Sequence, residues 1–165
     1  MGREANMLFF QSVRACFFKY ATFSGRAQRS EFWWWMLFYA LASMAASTID
    51  SMVLGFDFDS SGPTYVIFLL ATAIPNFAVT ARRLHDIDRS GWWMVVPYGI
   101  AILAVALAAI TASILRSGDA EQILFLLPLI AIAAMLLAFL ILLIWLIKKG
   151  TTGENRFGPD PLESK

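Results

Sequence analysis

The sequence is poor in cysteine, histidine and charge, and each shortage excludes a class of protein. Cys16 is the only cysteine, so a scaffold held together by internal disulfides is excluded. His85 is the only histidine, so a metal site built from several imidazoles is excluded as well. Charged residues form 15% of the chain, whereas a soluble domain has about 25%. A soluble fold of this length needs more charge than this to cover its surface.

Apolar residues are abundant instead. They form 59% of the chain and raise the mean hydropathy to +0.65, whereas an ordinary soluble domain is about 45–50% apolar. This content also excludes a disordered chain, because disordered segments lack apolar bulk. Lipid rather than water is therefore expected to be the main solvent of the protein.

Four long stretches contain no Asp, Glu, Lys or Arg, and they cover residues 32–49, 60–81, 90–115 and 122–147. A helix needs about 20 apolar residues to cross a hydrocarbon core of about 30 Å. The strands of a membrane barrel would alternate apolar and polar residues, and these stretches do not. The fold predicted is therefore all-α and polytopic, with four transmembrane helices at about 32–54, 63–81, 91–115 and 122–147.

Tryptophans mark the ends of the predicted spans. An indole ring favours the level of the lipid headgroups, with its apolar ring inward and its N–H outward. All six tryptophans occur at predicted span ends, and they are Trp33, Trp34, Trp35, Trp92, Trp93 and Trp145.

Basic residues are unevenly shared between the two sides that four spans create. The N-terminal segment, the second loop and the tail lie on one side, which holds 12 of the 13 Lys and Arg residues. By the positive-inside rule both termini are expected in the cytoplasm. The expected organisation is a cytoplasmic segment at 1–30, a transmembrane domain at 31–148 and a cytoplasmic tail at 149–165.

Residues 7–23 have the pattern of an amphipathic helix, with aromatic residues at three- and four-residue steps and with Arg14 and Lys19 on the opposite side. Such a helix is expected to lie in the membrane interface, with its cations near anionic headgroups. Cys16 is interpreted as one of its membrane-facing apolar residues. Packing of this helix on the cytoplasmic end of the bundle is an alternative, and the two arrangements are compatible.

Three motifs on the predicted cytoplasmic side stand out: GRAQRSEFW at 25–33, RRLHDIDRSGWW at 82–93 and GENRFGPDP at 153–161. In this order they resemble domain-of-unknown-function family 805, the YhaH/YhaI-like bacterial inner-membrane proteins, over roughly residues 14–161. Asp88 departs from the family pattern, in which a glycine usually occupies this position. The resemblance implies about four membrane helices and no particular activity.

Arginines within these motifs form the candidate ligand site. Guanidinium groups match phosphate oxygens, and the helix starts expected at Ser30 and Ser90 would add free N–H groups. The prediction is an arginine-rich cytoplasmic cap that contacts anionic phospholipid headgroups or a partner. The candidate residues are Arg26, Arg29, Arg82, Arg83, Arg89 and Arg156. Alternatively, the same arginines only reflect the positive-inside rule and pair with neighbouring carboxylates.

The remaining polar residues of the motifs predict a cytoplasmic polar network of Glu31, His85, Asp86, Asn155 and Asp160. His85 and Asp86 also have the chemistry of a general base or of a fragment of a metal site. The motifs hold no second histidine and no marked nucleophile. Neither a catalytic residue nor a metal or other cofactor is therefore assigned, and a membrane-bound enzyme that uses His85 is kept as an alternative.

A small oligomeric transporter or channel component is the other alternative. It would need a polar path past Asn76 and Asp50, which are rare polar residues in or near the spans. Small residues at 40–47 would allow close helix contact, so a homo-oligomer is a further expectation. The lipid bilayer is the expected partner, and nucleic acid is not, because the predicted extramembrane segments are too short to form a binding domain.

Overall fold

The computed structural model describes residues 7–57, 62–116 and 126–163. Within these ranges the chain forms helices α1 to α5 and one short 3-10 helix at Gly91–Met94. The α-helices are Phe9–Phe18, Arg29–Leu54, Pro63–Asp86, Val96–Arg116 and Leu126–Ile147. Four segments are long and apolar enough to cross a membrane, namely Arg29–Leu54, Pro63–Asp86, Gly91–Ile114 and Leu126–Ile147. The predicted all-α fold with four membrane helices is confirmed.

Helix α3 extends five residues past the end expected from hydropathy, because residues 82–86 contain nothing that breaks a helix. Helix α2 begins at Arg29, and Gln28 before it provides no side-chain cap. The expected cap, Ser30, instead lies inside α2, where its hydroxyl accepts a hydrogen bond from the Met7 N–H at 3.2 Å. Residues 122–125 of the fourth predicted span lie outside the described residues.

The chain divides into two compact units, which are described separately. The first unit consists of Met1–Gly91 and Lys149–Lys165, and the second of Trp92–Lys148.

In the first unit α2 and α3 are antiparallel, since Glu31 near the start of α2 contacts Arg82 near the end of α3. At the opposite end Asp50 of α2 caps the start of α3, and its carboxylate accepts hydrogen bonds from the N–H groups of Thr64 and Tyr65 at 3.0 and 2.8 Å. A carboxylate is favoured there because the first turn of a helix has unpaired N–H groups and a positive dipole end.

Pro75 interrupts the backbone hydrogen bonding of α3, because proline has no N–H to donate to the carbonyl of Ala71. The Tyr20 hydroxyl donates to that carbonyl at 2.5 Å. A side chain from the turn after α1 therefore replaces the missing backbone donor and fastens this turn to α3.

Asn76 lies one residue further along α3, and its amide oxygen accepts a hydrogen bond from the Trp35 indole N–H at 2.6 Å. Asn76 thus faces another helix, as expected for an amide that lipid could not satisfy. Trp35 lies near the start of α2 but is fully buried, so its ring does not face the lipid headgroups. The indole of Trp35 serves a helix contact instead.

Helix α1 packs on α2 through edge-to-face aromatic contacts, among them Phe17 with Trp35 at 5.2 Å. Its buried face consists of the small residues Ser12 and Cys16, which let the two helices approach closely. The interpretation of Cys16 as membrane-facing is therefore wrong, because only 1% of this residue is exposed.

In the second unit α4 and α5 are antiparallel, with Trp93 against Trp145 at 5.3 Å and Tyr98 against Phe139 at 5.6 Å. Most large apolar side chains of the two helices are exposed. Such exposure is expected of helices whose outer surface meets lipid rather than water.

Candidate functional site

The candidate site lies in the first unit, where the start of α2, the end of α3 and the tail meet. We call this group the polar cap and define it as Arg26, Glu31, Arg82, Arg83, His85, Asp86, Asn155 and Asp160. The structure brings these residues together by direct contacts, which the following paragraphs describe.

Asp86 is the central carboxylate of the polar cap. Its Oδ1 accepts a hydrogen bond from Arg26 Nε at 3.0 Å, and its Oδ2 accepts one from Arg83. All three residues are buried. One carboxylate therefore pairs with two buried guanidinium groups, and buried charges are tolerated when they are paired.

Arg26 also connects the N-terminal segment to the tail. Its guanidinium donates to the carbonyls of Thr151, Gly153 and Gly158. The Thr151 N–H donates in turn to the carbonyl of Asp86 at 2.8 Å. The tail is thus held by hydrogen bonds of its backbone groups. These bonds to Arg26 form only when the turns of the tail bring its carbonyls together.

Arg82 fixes the other side of the polar cap. Its Nη2 donates to Glu31 at 3.0 Å, and its Nη1 donates to the carbonyls of Thr22 and Lys19 at 2.6 and 3.3 Å. Among the described residues, Arg82 Nε has no hydrogen-bond partner.

The Cys16 thiol lies near this ion pair. Burial, together with the nearby charge of Glu31, raises the pKa of the Cys16 thiol to about 12, and the Arg82 guanidinium opposes this shift.

His85 is a half-buried member of the polar cap. Its Nδ1 lies 3.1 Å from the carbonyl of Gly25, which assigns the proton to Nδ1 because a carbonyl only accepts. The ring stacks on Phe157 at 3.9 Å, and Asn155 donates to the backbone carbonyl of His85 at 3.0 Å. The imidazole therefore joins the N-terminal segment, α3 and the tail.

Asp88 has φ of 59°, in the left-handed region that glycine adopts readily. It thus keeps the conformation expected of the glycine that it replaces. Its carboxylate pairs with Arg156 Nε at 3.0 Å, and both side chains are exposed. The charge that this substitution adds is used for a contact with the tail.

The six candidate arginines separate into two groups. Arg26, Arg82 and Arg83 are buried and bonded inside the first unit. The exposed group is Arg29, Arg89 and Arg156. Of the six, these three have side chains that solvent or lipid can reach, and Arg156 also pairs with Asp88.

A cleft of about 600 Å³ opens beside the polar cap, between the turn that follows α1 and the tail. We call it the tail cleft; Lys19, Ser24 and Gly25 line one side, and Asp160 and Glu163 line the other. Sequence reasoning did not assign Lys19, Ser24 or Glu163 to a site. No signal in the sequence marks them, since the cleft exists only because the tail folds back.

Within residues 7–57, 62–116 and 126–163, no three His, Cys, Asp or Glu side chains lie close enough together to hold a metal ion. His85 does not line the tail cleft. The site thus combines hydrogen-bond donors, charged side chains and a cavity, which are features of a ligand-binding site.

Comparison with known proteins gives one family and several relatives. The family model described as protein of unknown function (DUF805) matches residues 20–159. The Escherichia coli K12 inner membrane proteins YhaH and YhaI are 31% and 32% identical over 142 residues, which cover 86% of this chain and 88% and 87% of theirs. The uncharacterized Escherichia coli K12 protein YiiR is 30% identical over 148 residues, which cover 87% of this chain and 88% of its own. No solved structure matches the chain.

Proposed function

This chain belongs to the DUF805 family, and we propose that it is a non-enzymatic inner-membrane protein whose arginine-rich surface contacts anionic lipid headgroups. The polar cap is the rigid support of this surface. Its buried ion pairs hold the N-terminal segment, α3 and the tail in one arrangement, and the exposed arginines project from it.

The observation that carries the proposal is the level at which the exposed arginines lie. Arg29 begins α2, and the half-exposed indoles of Trp33 and Trp34 follow about one turn later. Because such indoles favour the headgroup region, Arg29 lies at the level of the lipid phosphates. A basic side chain at the surface of an anionic leaflet contributes about 1 kcal/mol of attraction.

We place this surface in the cytoplasm, with both termini on the same side. Nearly all basic residues fall on that side of a four-span chain. Helix α1 is proposed to lie in the interface, because Phe10 and Phe18 are 82% and 76% exposed and Arg14 lies over the Phe18 ring.

The contacts of the polar residues favour binding over catalysis or transport. The His85 ring is used in a hydrogen bond to Gly25 and in a stack on Phe157, which are structural contacts. Asn76 and Asp50, on which a transport path would depend, are both used in hydrogen bonds between helices. A homo-oligomer stays a prediction.

Retention of phosphatidylglycerol by the purified full chain, measured by native mass spectrometry, tests the proposal. Replacing Arg29, Arg89 and Arg156 together by Gln is expected to lower retention at least about tenfold, which corresponds to about 1.4 kcal/mol of lost attraction. Arg82 and Arg83 are unsuitable for this test, because their loss would break buried pairs.

The control keeps the charge at the same three positions, with Arg29→Lys, Arg89→Lys and Arg156→Lys together. We expect this control to retain the lipid within about twofold of the unmodified chain. Equal retention by the unmodified chain and the arginine variant, or equal losses in variant and control, would refute the proposed surface.

A further inference from the structure

One wall of the tail cleft carries hydrogen-bond donors that no described part of the chain accepts. They are the exposed ammonium of Lys19 and the backbone N–H groups of Ser24 and Gly25. Gly25 has φ of 82°, which is a conformation found in backbone anion-binding turns. The group that this wall suits is an acceptor-rich anion such as phosphate.

The opposite wall accepts hydrogen bonds but offers few donors. Pro159 and Pro161 have no N–H, and the side chains between and after them are the carboxylates of Asp160 and Glu163. Asp160 accepts the N–H groups of Leu162 and Gly153 at 2.9 and 3.1 Å, which fixes its orientation at the cleft. Glu163 is exposed at the same wall. The group that this wall suits is a cation that donates hydrogen bonds.

The remaining charged residues of the tail cleft do not alter this balance. Arg26 and Arg82 line it as well, but their guanidinium groups are paired with Asp86 and Glu31. The Asp160 carboxylate also lies 4.0 Å from Arg26, so the charges that remain fully open to a ligand are the Lys19 ammonium on one wall and the Glu163 carboxylate on the other. A simple anion would meet repulsion from the second wall, whereas a zwitterion would not.

The type of cation is also indicated. A quaternary ammonium is usually bound by aromatic faces, and no residue that lines the tail cleft is aromatic. A primary ammonium has three N–H donors for carboxylate acceptors. The volume of about 600 Å³ falls within the range of about 300–1,000 Å³ that is typical of small-molecule sites.

We infer that the tail cleft binds a phosphate joined to a primary ammonium, as in the phosphoethanolamine headgroup. The phosphate lies against Lys19, Ser24 and Gly25, and the ammonium lies against Asp160 and Glu163. None of Arg29, Arg89 and Arg156 lines this cleft, so the inference does not rest on the lipid-contacting surface proposed above.

The experiment compares phosphatidylethanolamine with phosphatidylcholine of the same acyl chains, retained by the purified full chain in native mass spectrometry. The unmodified chain is expected to retain phosphatidylethanolamine at least about tenfold better. Glu163→Gln is expected to reduce this preference to about twofold or less, because it removes an acceptor of the ammonium. Lys19→Ala is expected to lower the retention of both lipids at least about fivefold, because both carry the phosphate. Both side chains are exposed, so neither substitution removes a buried contact.

The matched controls are Glu154→Gln and Lys149→Ala, which change exposed residues of the same types away from the cleft. They are expected to keep the full preference and the full retention. Equal retention of the two lipids by the unmodified chain would overturn the inference, as would equal effects of control and cleft variants. The phosphatidylglycerol measurement is a separate readout, so failure of either proposal is recognised without the other.

Soluble phosphoethanolamine distinguishes a lipid ligand from a free one. Displacement of the bound lipid by millimolar phosphoethanolamine, but not by phosphocholine, would show that the headgroup alone is recognised. A preference for phosphatidylethanolamine without such displacement would identify the intact lipid as the ligand. Displacement by phosphocholine at the same concentration would contradict recognition of a primary ammonium.

Discussion

At the scale of single residues, the polar cap depends on how few acids neutralise its buried arginines. Asp86 alone contacts both Arg26 and Arg83 at hydrogen-bond distance, while the Asp160 carboxylate lies 4.0 Å from Arg26. A buried charge that loses its partner is far more costly than a surface one. The contribution of each acid in this region to the stability of the fold is therefore determined by its burial rather than by its position in a motif.

Asp86→Asn is expected to destabilise the protein by about 3–5 kcal/mol, because two buried guanidinium groups lose their carboxylate. Reversible unfolding of the full chain in mixed detergent micelles measures this change. Asp88→Asn is the control, since it removes an exposed ion pair and is expected to cost about 0–1 kcal/mol. Similar costs for the two variants would contradict the role given to Asp86.

Cys16 is expected to react slowly while the protein is folded. Its raised pKa of about 12 leaves a thiolate fraction at pH 8 roughly a thousandfold below that of a free cysteine. Alkylation by iodoacetamide at pH 8, followed by mass spectrometry in mild detergent and again after unfolding, measures the difference. Equal rates in the two states would show that the thiol is accessible.

The same shift gives a pH dependence with a definite sign. The folded state holds the thiol proton more tightly than the unfolded state, so this contribution to stability is complete below the unfolded pKa of about 8.5 and is lost as pH rises towards 12. Cys16→Ala is expected to reduce the loss of stability between these values, and unfolding measured at pH 8 and pH 10 would show it.

The pairing of individual arginines could not be predicted from the sequence. All six candidates occur in similar polar motifs, yet Arg26 is buried and Arg29, three residues later, is exposed. The difference arises because the tail, more than 120 residues away, covers one and not the other. The residues that neighbour an arginine in the sequence therefore do not predict whether a distant segment buries it.

At the scale of elements, α3 combines a proline with an external hydrogen-bond donor. Tyr20→Phe is expected to cost about 1–3 kcal/mol, because the carbonyl of Ala71 is left without a donor. Pro75→Ala restores a backbone N–H to the helix, so Tyr20→Phe should be nearly neutral in that background. A double-mutant cycle of unfolding free energies measures this coupling, and additive effects would contradict it.

Gly150 is the point at which the tail passes closest to Asp86. A Cβ atom at this residue would collide with the Asp86 carboxylate, so Gly150→Ala is expected to displace the tail. Faster cleavage of the tail by a protease is the measurement. Gly99→Ala is the control, because nothing lies within 4 Å of the position of its added methyl group; equal cleavage of both variants would contradict the close passage.

The membrane helices could be predicted well, whereas the end of α3 could not. Stretches without charge predict which residues lie in lipid. They do not predict where a helix ends, because α3 continues into polar residues after its apolar part ends. The tail cleft is a harder case, because its walls come from residues near 20 and near 160. Periodicity and composition predict the structure of one segment at a time, so they cannot predict a cleft that forms only when two distant segments meet.

At the scale of the whole molecule, the proposed orientation is testable. In a Cys16→Ser background, a membrane-impermeant maleimide should label Asp57→Cys in intact spheroplasts but label Thr152→Cys only after permeabilisation, because the proposed orientation keeps the basic side in the cytoplasm. Asp57 and Thr152 are both exposed, so burial does not affect the comparison. Labelling of Thr152→Cys in intact spheroplasts would reverse the proposed orientation.

The hydrogen bonds of Arg26 also have a consequence for synthesis. Its acceptors in the tail follow it by 125 to 132 residues, so the ribosome produces the donor long before the carbonyls that satisfy it. Until translation reaches the tail, water must hydrate the donors that these carbonyls later satisfy. A chain that ended before the tail would therefore bury Arg26 with its Asp86 contact alone, which leaves part of its guanidinium unsatisfied.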